Sequence, residues 1–396
     1  MSLPTAEPQK RHLPKYLPSF PAPRWLPQWT KGQHSPRLVI RVIAGLLLTG
    51  VLLTTMESAT SYQPVRSTVS ALRREDKIPN QMNFVWALYD PRAELNFTFE
   101  HYLCMYSAWY HFKPDRMYFH TNADAAKIER ARSGTAGKWA RLMLAMPGVE
   151  VRWMEAPRQT RHGFPLAFKE HISDFMRVKA VHDYGGVYVD FDVQALRDVA
   201  PLRRSGFAAV VGRQRNHEAN SGTFMSQKGG RVVKMWMDKM HDVYDGRWTT
   251  HSNVALTKIA ERHVRDPGEV LIVDIEAFAP VGWDPGDAVR LFGLHNETAS
   301  GLDAVAAGEP LPEYDEAPPI DWEHGEHMPW PYDFSAAYLL HAFTPDWDKV
   351  PVDGVHEITP RYVLQRQSNY ARAVYPVVRD MYNKGLVTLD DTESGM

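Results

Sequence analysis

Apolar positions recur along the chain in two rhythms. Between Phe164 and Tyr184, the residues Phe168, Ile172, Phe175, Met176 and Ala180 return at three- and four-residue spacing, which predicts a helix stopped by Gly185-Gly186. "FEHYLCMYSAWYHF", Val232–Tyr244 and Asn253–Val264 predict further helices. Short β-branched and aromatic runs lie between them: Gln81–Asp90, "RMYFHT", "VEVRWME", "GVYVDFDV", "GFAAVVG" and "EVLIVDIEAF" predict strands. This alternation predicts an α/β sheet with helices on both faces. The acidic, proline-rich stretch Glu309–Asp333 predicts a long loop.

One apolar run follows neither rhythm. "LVIRVIAGLLLTGVLLTTM", Leu38–Met56, carries Arg41 as its only charge. As a helix it would rise roughly 28 Å, close to the thickness of a bilayer core. It follows a tail, residues 1–36, that holds eight prolines. Lys10, Arg11, Lys15, Arg24, Lys31, Arg37 and Arg41 precede or open the run against a single acid, Glu7. The positive-inside rule then leaves the tail in the cytosol and sends everything after Met56 across the membrane. The expected layout is a cytosolic tail (1–36), a transmembrane anchor (37–56), a stem (57–77), one catalytic domain (78–386) and a short tail (387–396). The brevity of the span and its three threonines suit a thinner early-secretory membrane, so a Golgi type II protein is expected. The sequons at Asn96 and Asn296 would then be lumenal glycosylation sites.

Composition narrows the choice further. With 44% hydrophobic residues the chain can bury a large core without staples, and its single cysteine, Cys104, excludes an internal disulfide framework. A formal net charge of −2 argues against nucleic acid as a partner.

Candidate chemistry concentrates in "HISDFMRVKAVHDYGGVYVDFDV". Residues two apart in a strand share a face, so Asp190 and Asp192 would present both carboxylates together, with Phe191 opposite. In open α/β sheets ligands sit beyond the carboxyl ends of strands. Two carboxylates there suit a hard divalent cation, which in turn neutralises a diphosphate. A bare Asp-x-Asp means little, since Asp346-Trp-Asp348 is a second one. Its surroundings raise the first. Asp174 and Arg177 share a helix face, and could be a surface ion pair or a grip on hydroxyls and phosphate. Gly185-Gly186 permits left-handed backbone and close approach to a ligand.

The composite of Ser-Asp-x-x-Arg on a helix followed by Tyr-Gly-Gly-Val-Tyr-Val-Asp-x-Asp-Val resembles the sugar-binding region of glycosyltransferase family 32. The matching residues are Ser173, Asp174, Arg177, Gly185, Gly186, Tyr188, Asp190 and Asp192; weaker agreement extends from Phe84-Val85-Trp86 to "YLLHAFTPDW". The resemblance implies a GT-A fold (a Rossmann-like mixed sheet flanked by helices), a nucleotide-sugar donor, Mn²⁺ or Mg²⁺, and retention of anomeric configuration. GDP-mannose is the donor it favours, with UDP-hexoses second, and the acceptor would be a glycan or glycolipid. It implies that Asp190 contacts the ribose or metal, Asp192 binds metal and diphosphate, and Asp174 and Arg177 hold the donor sugar. Val85 and Trp86 would approach the nucleobase or lie in the core, and His341 would complete the metal site or be an ordinary hydrogen-bonded histidine. Asn220 and Ser221 would lie in an acceptor-side loop, and Trp347 is a lid or core residue. His251-Ser252-Asn253 departs from the glycine-proline turn of many relatives.

Two other readings compete. A haloacid-dehalogenase phosphatase also carries Asp-x-Asp, but needs Thr or Val where this chain has Gln194. A membrane-tethered, catalytically silent relative would bind glycans or act as a scaffold, and need not keep Asp174, Arg177, Asp190 and Asp192 together.

Overall fold

The structure, a computed structural model, describes residues 77–295, 302, 305, 309–313 and 330–395. The predicted tail and anchor, nearly all of the stem, Asn296 and most of the Glu309–Asp333 stretch lie outside the described residues. No helix among the described residues is long and apolar enough to cross a membrane.

Seven strands form the central sheet, in the order β3-β2-β1-β4-β7-β6-β8. They are β1 (Gln81–Trp86), β2 (Arg116–Thr121), β3 (Val149–Trp153), β4 (Gly186–Val189), β6 (Ala209–Arg213), β7 (Ala219–Ser226) and β8 (Val270–Val273). A short two-stranded ladder pairs β5 (Val193–Ala195) with β9 (Leu339–His341). β1 runs parallel to β2 and β4, and β2 to β3, while β7 is antiparallel to both β4 and β6. Parallel neighbours need crossovers, and helices supply them. Helix α1 (Phe99–Phe112) leads from β1 to β2, and α2 (Lys169–Tyr184) leads from β3 to β4.

Both faces of the sheet are buried, which the sequence states residue by residue. Phe84 on β1, Val187 and Val189 on β4, Val210 on β6 and Met225 on β7 join one apolar cluster, with α1 and the C-terminal helix α5 (Asn369–Asn383). Their neighbours Val85, Tyr188, Val211 and Phe224 join the other, with α2, α3 (Arg231–Val243) and α4 (Ala255–His263). Alternation with no polar face is the signature of a sheet covered on both sides.

Several boundaries differ from the expected ones, each for a local reason. α2 opens at Lys169 rather than Phe164, because Thr160 and Pro165 close a tight turn in which Thr160 N–H donates to the Phe164 carbonyl. Only the first half of "EVLIVDIEAF" is strand; the Asp274 side chain accepts from Ile275 N–H and starts a helical turn, Ile275–Phe278. "GVYVDFDV" is two strands with a turn at Asp190–Asp192, where Val193 N–H donates to the Asp190 carbonyl (3.1 Å). Phe191 therefore shares the cavity region with the aspartates, on a different support. Asn220 and Ser221 are strand, not loop: they lie in β7, beside β4 at the centre of the sheet. The polar run Asn-Ser-Gly-Thr hides a strand whose every position is buried.

Residues 387–395 pack back on the domain. Val387 is buried, Lys138 Nζ meets Asp391 at 2.5 Å, and the Glu393 carbonyl accepts from Phe99 N–H (2.8 Å). Trp347 is half-buried and packs against the core, edge-on to Phe292 at 5.2 Å. The second Asp-x-Asp is a surface turn, with Asp346 paired to Lys349.

Candidate active site

The register of β1 on β4 builds the site. Met82 faces Val187 and Asn83 faces Tyr188, so the chain leaving β4 at Asp190–Asp192 emerges beside Val85 and Trp86, at the carboxyl ends of both strands. The second ladder then brings His341 opposite Val193, one residue from Asp192. One ligand atom from each of Asp190, Asp192 and His341 lies within 4.8 Å of the others. A divalent cation ligated at about 2.1–2.2 Å holds its donors roughly 3–4.4 Å apart, so this oxygen-and-imidazole set fits one with small adjustment.

The three donors are not equivalent. Asp190 Oδ1 accepts from the Tyr188 hydroxyl (2.5 Å) and Oδ2 from Arg177 Nη1 (3.2 Å). Among the described residues, the side-chain partner of Asp192 is His341 Nε2, at 3.4 Å. Burial pushes the Asp190 carboxyl up, with Arg177 pulling the other way. Asp192 is also penalised by burial, yet His341 and its own backbone N–H hold it below its ordinary value. Asp192 is thus the ionised, uncommitted ligand, and Asp190 is braced from behind.

The bracing is a buried chain. Arg177 Nη2 meets Asp174 Oδ1 (2.8 Å), Nη1 also donates to the Ser221 carbonyl (3.1 Å), and the guanidinium lies over the Tyr188 ring. Burial works against its charge, but Asp190, Tyr188 and Asp174 raise the arginine's pKa nonetheless. Asp174 Oδ2 shares a hydrogen bond with His251 Nε2 (2.8 Å). His251 is fully buried in a π-helical turn, Thr250–Val254, whose Asn253 Oδ1 accepts from Ser221 N–H (3.0 Å). Such turns occur mostly where a helix has a functional insertion. The His251-Ser252-Asn253 departure thus locks α2 to β7. Asp174 and Arg177, only 5% and 6% exposed, are an internal pair and not a surface one.

Two cavities meet at these residues. The larger, about 500 Å³, takes in Asp174, Arg177, Asn220, Ser221 and His341, together with Trp248 and Trp283. The smaller, about 350 Å³, is lined by Val85, Trp86, Lys169, Ser173, Tyr188 and Phe191. Arg177, Asp190, Asp192 and Glu170 belong to both. In the smaller cavity Trp86 stands edge-on to Phe191 (5.4 Å) under Lys169 Nζ (5.7 Å). Aromatic rings with a cation beside them offer a surface on which a nucleobase can stack. His101 also lines it; burial lowers its pKa to about 4, so it is neutral there.

Gly185 and Gly186 line neither cavity. They sit at the opposite end of β4, at φ +74° and +95°, where a Cβ would meet Lys228 N at 2.7 Å and the Gln81 carbonyl oxygen at 2.3 Å. Their role is packing of the strand start, not approach to a ligand. Gly222, which sequence reading passed over, is the glycine of the site: a Cβ there would lie 2.5 Å from Asp190 Oδ2 and 2.7 Å from His341 Cε1. An isolated glycine inside a strand signals such close approach, but the strand itself was not recognised. Glu170, Lys169 and Phe343 carried no signal apart from the fold.

Residues 99–208 match the family model described as a glycosyltransferase sugar-binding region containing a DXD motif. Over that span the chain is similar to the DXD sugar-binding region of the glycosyltransferases. The matched span runs from α1 past β5 and holds Asp174, Arg177, Asp190 and Asp192; β7 and His341 lie downstream of the DXD region. Among curated proteins, "Glucan organizing enzyme 1" of Cryptococcus neoformans is 24% identical over 250 residues, covering 59% of this chain. The match spans 63% of that relative, less than two thirds of its length. Among solved structures, the glycosyltransferase GlyE of Streptococcus pneumoniae is 12% identical, covering 78% of this chain and 64% of that one with a TM-score of 0.36. PaToxG glycosyltransferase is likewise 12% identical, covering 51% and 79%, with a TM-score of 0.35.

Behind the DXD turn, Glu100 on α1 accepts from the hydroxyl of Thr344, three residues past His341. Burial raises its pKa from 4.5 to about 8. Above about pH 4.5 the unfolded chain releases this proton while the folded one keeps it until about pH 8, so stability should fall as pH rises through that window. At about 1.4 kcal/mol per unit, the loss amounts to a few kcal/mol. Urea midpoints at pH 5.5 and 8 should therefore drop steeply in the wild type and less in Glu100→Gln. Parallel drops in the two proteins would show that Glu100 ionises normally.

Proposed function

We propose that this protein is a metal-dependent, retaining hexosyltransferase that moves mannose from GDP-mannose, ahead of UDP-hexoses, to a glycan or glycolipid acceptor. The observation that carries the reading is the meeting of two cavities at Arg177, Asp190 and Asp192. One has the aromatic and cationic lining of a nucleotide seat; the other has room for a sugar and what it is transferred to. The DXD region supports transfer chemistry, and the fungal relative, named for glucan organisation, supports a glycan on the acceptor side.

A divalent cation held by Asp192 and His341, with Asp190 behind, would neutralise the diphosphate as its bond to the sugar breaks. Arg177 adds a fixed positive charge in a water-poor site, where such stabilisation is large. The sugar C1–O bond to the diphosphate breaks, a bond from C1 to the acceptor oxygen forms on the same face, and the acceptor proton passes to the departing phosphate. Asp174 holds Arg177 in place from the wall of the larger cavity, where the two would grip the donor sugar. Mn²⁺ or Mg²⁺ would serve. We place the enzyme in the Golgi membrane as a single-pass type II protein, on the strength of the 37–56 apolar run and its basic flank. Asn96, exposed just before α1, is open to glycosylation.

Thermal shift of the full chain in detergent tests this directly. GDP-mannose with Mn²⁺ should stabilise it, by about 2.7 kcal/mol at a hundredfold excess over Kd, and the gain should vanish without metal. No shift with GDP-mannose, UDP-glucose or UDP-galactose, in a sample that melts cooperatively, would favour a silent scaffold instead.

A further inference from the structure

Three tryptophans are exposed among the described residues, and two of them, Trp248 (59% exposed) and Trp283 (45%), line the larger cavity. Leaving indoles in water forgoes roughly 25 cal/mol for every Å² of apolar surface that could have been covered. These two are nevertheless held in place. Trp248 rests edge-on against Phe168 (6.3 Å) and against His171 (5.5 Å) of α2. Trp283 stands edge-on to Phe343 (5.6 Å), which stacks flat on His341 at 3.8 Å and 11°. Phe343 holds that position at φ +46°, a backbone region that bulky side chains avoid and that costs on the order of 1 kcal/mol or more. One indole is therefore fixed on the Asp174 side of the cavity and the other on the His341 side.

Between the rings the lining is polar: Glu170, Asn216, Thr249 and Ser252 contribute to the same wall. A ligand suited to this setting has an apolar face and a hydrogen-bonding rim. An acyl chain has the first without the second, and a nucleotide already has its own aromatic seat beside Trp86. A pyranose ring has both, since its axial C–H bonds make one face apolar while its hydroxyls ring the edge. We infer that Trp248 and Trp283 form a carbohydrate platform that binds the acceptor by stacking on its sugar ring, making the acceptor's recognised part glycan and not lipid. This rests on the transferase reading only for the word acceptor; the platform itself is a binding site.

Saturation-transfer NMR on the full chain in a non-glycoside detergent tests it, with methyl α-D-mannopyranoside and methyl β-D-galactopyranoside as probes and 1,2-hexanediol as an apolar control. Saturation should fall on the ring protons of at least one glycoside and exceed that of hexanediol. It should drop about threefold to tenfold in Trp248→Ala or Trp283→Ala, and recover in Trp248→Phe. Equal saturation of hexanediol, or undiminished glycoside signal in the double alanine variant, overturns the platform. The thermal shift with GDP-mannose and Mn²⁺ is run on the same samples. A shift kept in the double variant shows that the donor site stands apart from the platform. Its absence in the wild type counts against the transferase reading alone, while the glycoside result still decides the platform.

Discussion

Asp192→Ala should abolish sugar transfer, by at least about a thousandfold in turnover, and leave the fold nearly untouched. The two halves of that expectation have separate causes. The Asp192 side chain is 31% exposed, and among the described residues its side-chain partner is His341. Removing it deprives His341 Nε2 of a partner that stands 3.4 Å away, a long and weak contact, so the melting temperature should shift only slightly, by about 1 kcal/mol. Asp190→Ala makes the instructive contrast. It strips buried Arg177 of one of its two carboxylate partners while Asp174 remains, so the loss should stay below the roughly 3–5 kcal/mol of a fully broken buried pair yet exceed that of Asp192→Ala, and this variant should lose both activity and stability. Turnover with Mn²⁺ and calorimetry on the two variants check both halves. Undiminished transfer in Asp192→Ala would remove the proposed mechanism; equal destabilisation in both would show that Asp192 is structural.

What could be read from the chain divides along a physical line. The parallel strands β1, β2 and β3 and the helices α1 and α2 announce themselves, because burial on one stripe or on two faces forces a regular apolar pattern. Asp190 and Asp192 were legible for a different reason: they sit in a dense local cluster with Ser173, Asp174 and Arg177, all within twenty residues of one another. Local sequence also misled where tertiary structure decides. The Gly-Gly pair seemed made for a ligand, yet its freedom serves close packing against Gln81 and Lys228. β7 was invisible, since its polar residues Asn220 and Ser221 are buried where Gln214 takes the Asn220 amide and Asn253 of the π-helical turn takes the Ser221 N–H. His251 was visible only as a departure from a pattern, and its meaning, a clamp on Asp174 from 77 residues away, needed coordinates.

Gly222→Ala should be the most damaging single methyl in the site. Its Cβ would fall 2.5 Å from Asp190 Oδ2, 2.7 Å from His341 Cε1 and 2.9 Å from Asn220 Oδ1, all closer than real contacts allow. None of the three can retreat freely. Asp190 is tied to Tyr188 and Arg177, His341 is buried flat against Phe343, and Asn220 accepts from Gly222 N–H itself. Overpacking of this kind typically costs about 1–3 kcal/mol, so the domain should still fold. The functional loss should be larger than the structural one. A displacement of about 1 Å in a ligand set can cost on the order of a hundredfold in rate, and half-maximal activity should need several times more Mn²⁺. Gly286→Ala is the matched control, since a Cβ there has nothing within 4 Å and the residue, in the helix Pro285–Phe292, lines neither cavity. It should leave turnover unchanged and, as alanine in a helix, stabilise by roughly 0.5–1 kcal/mol. Metal titrations of the two variants decide the matter: a Gly222→Ala enzyme with wild-type metal dependence would mean that Asp190 and His341 do not act together on the cation.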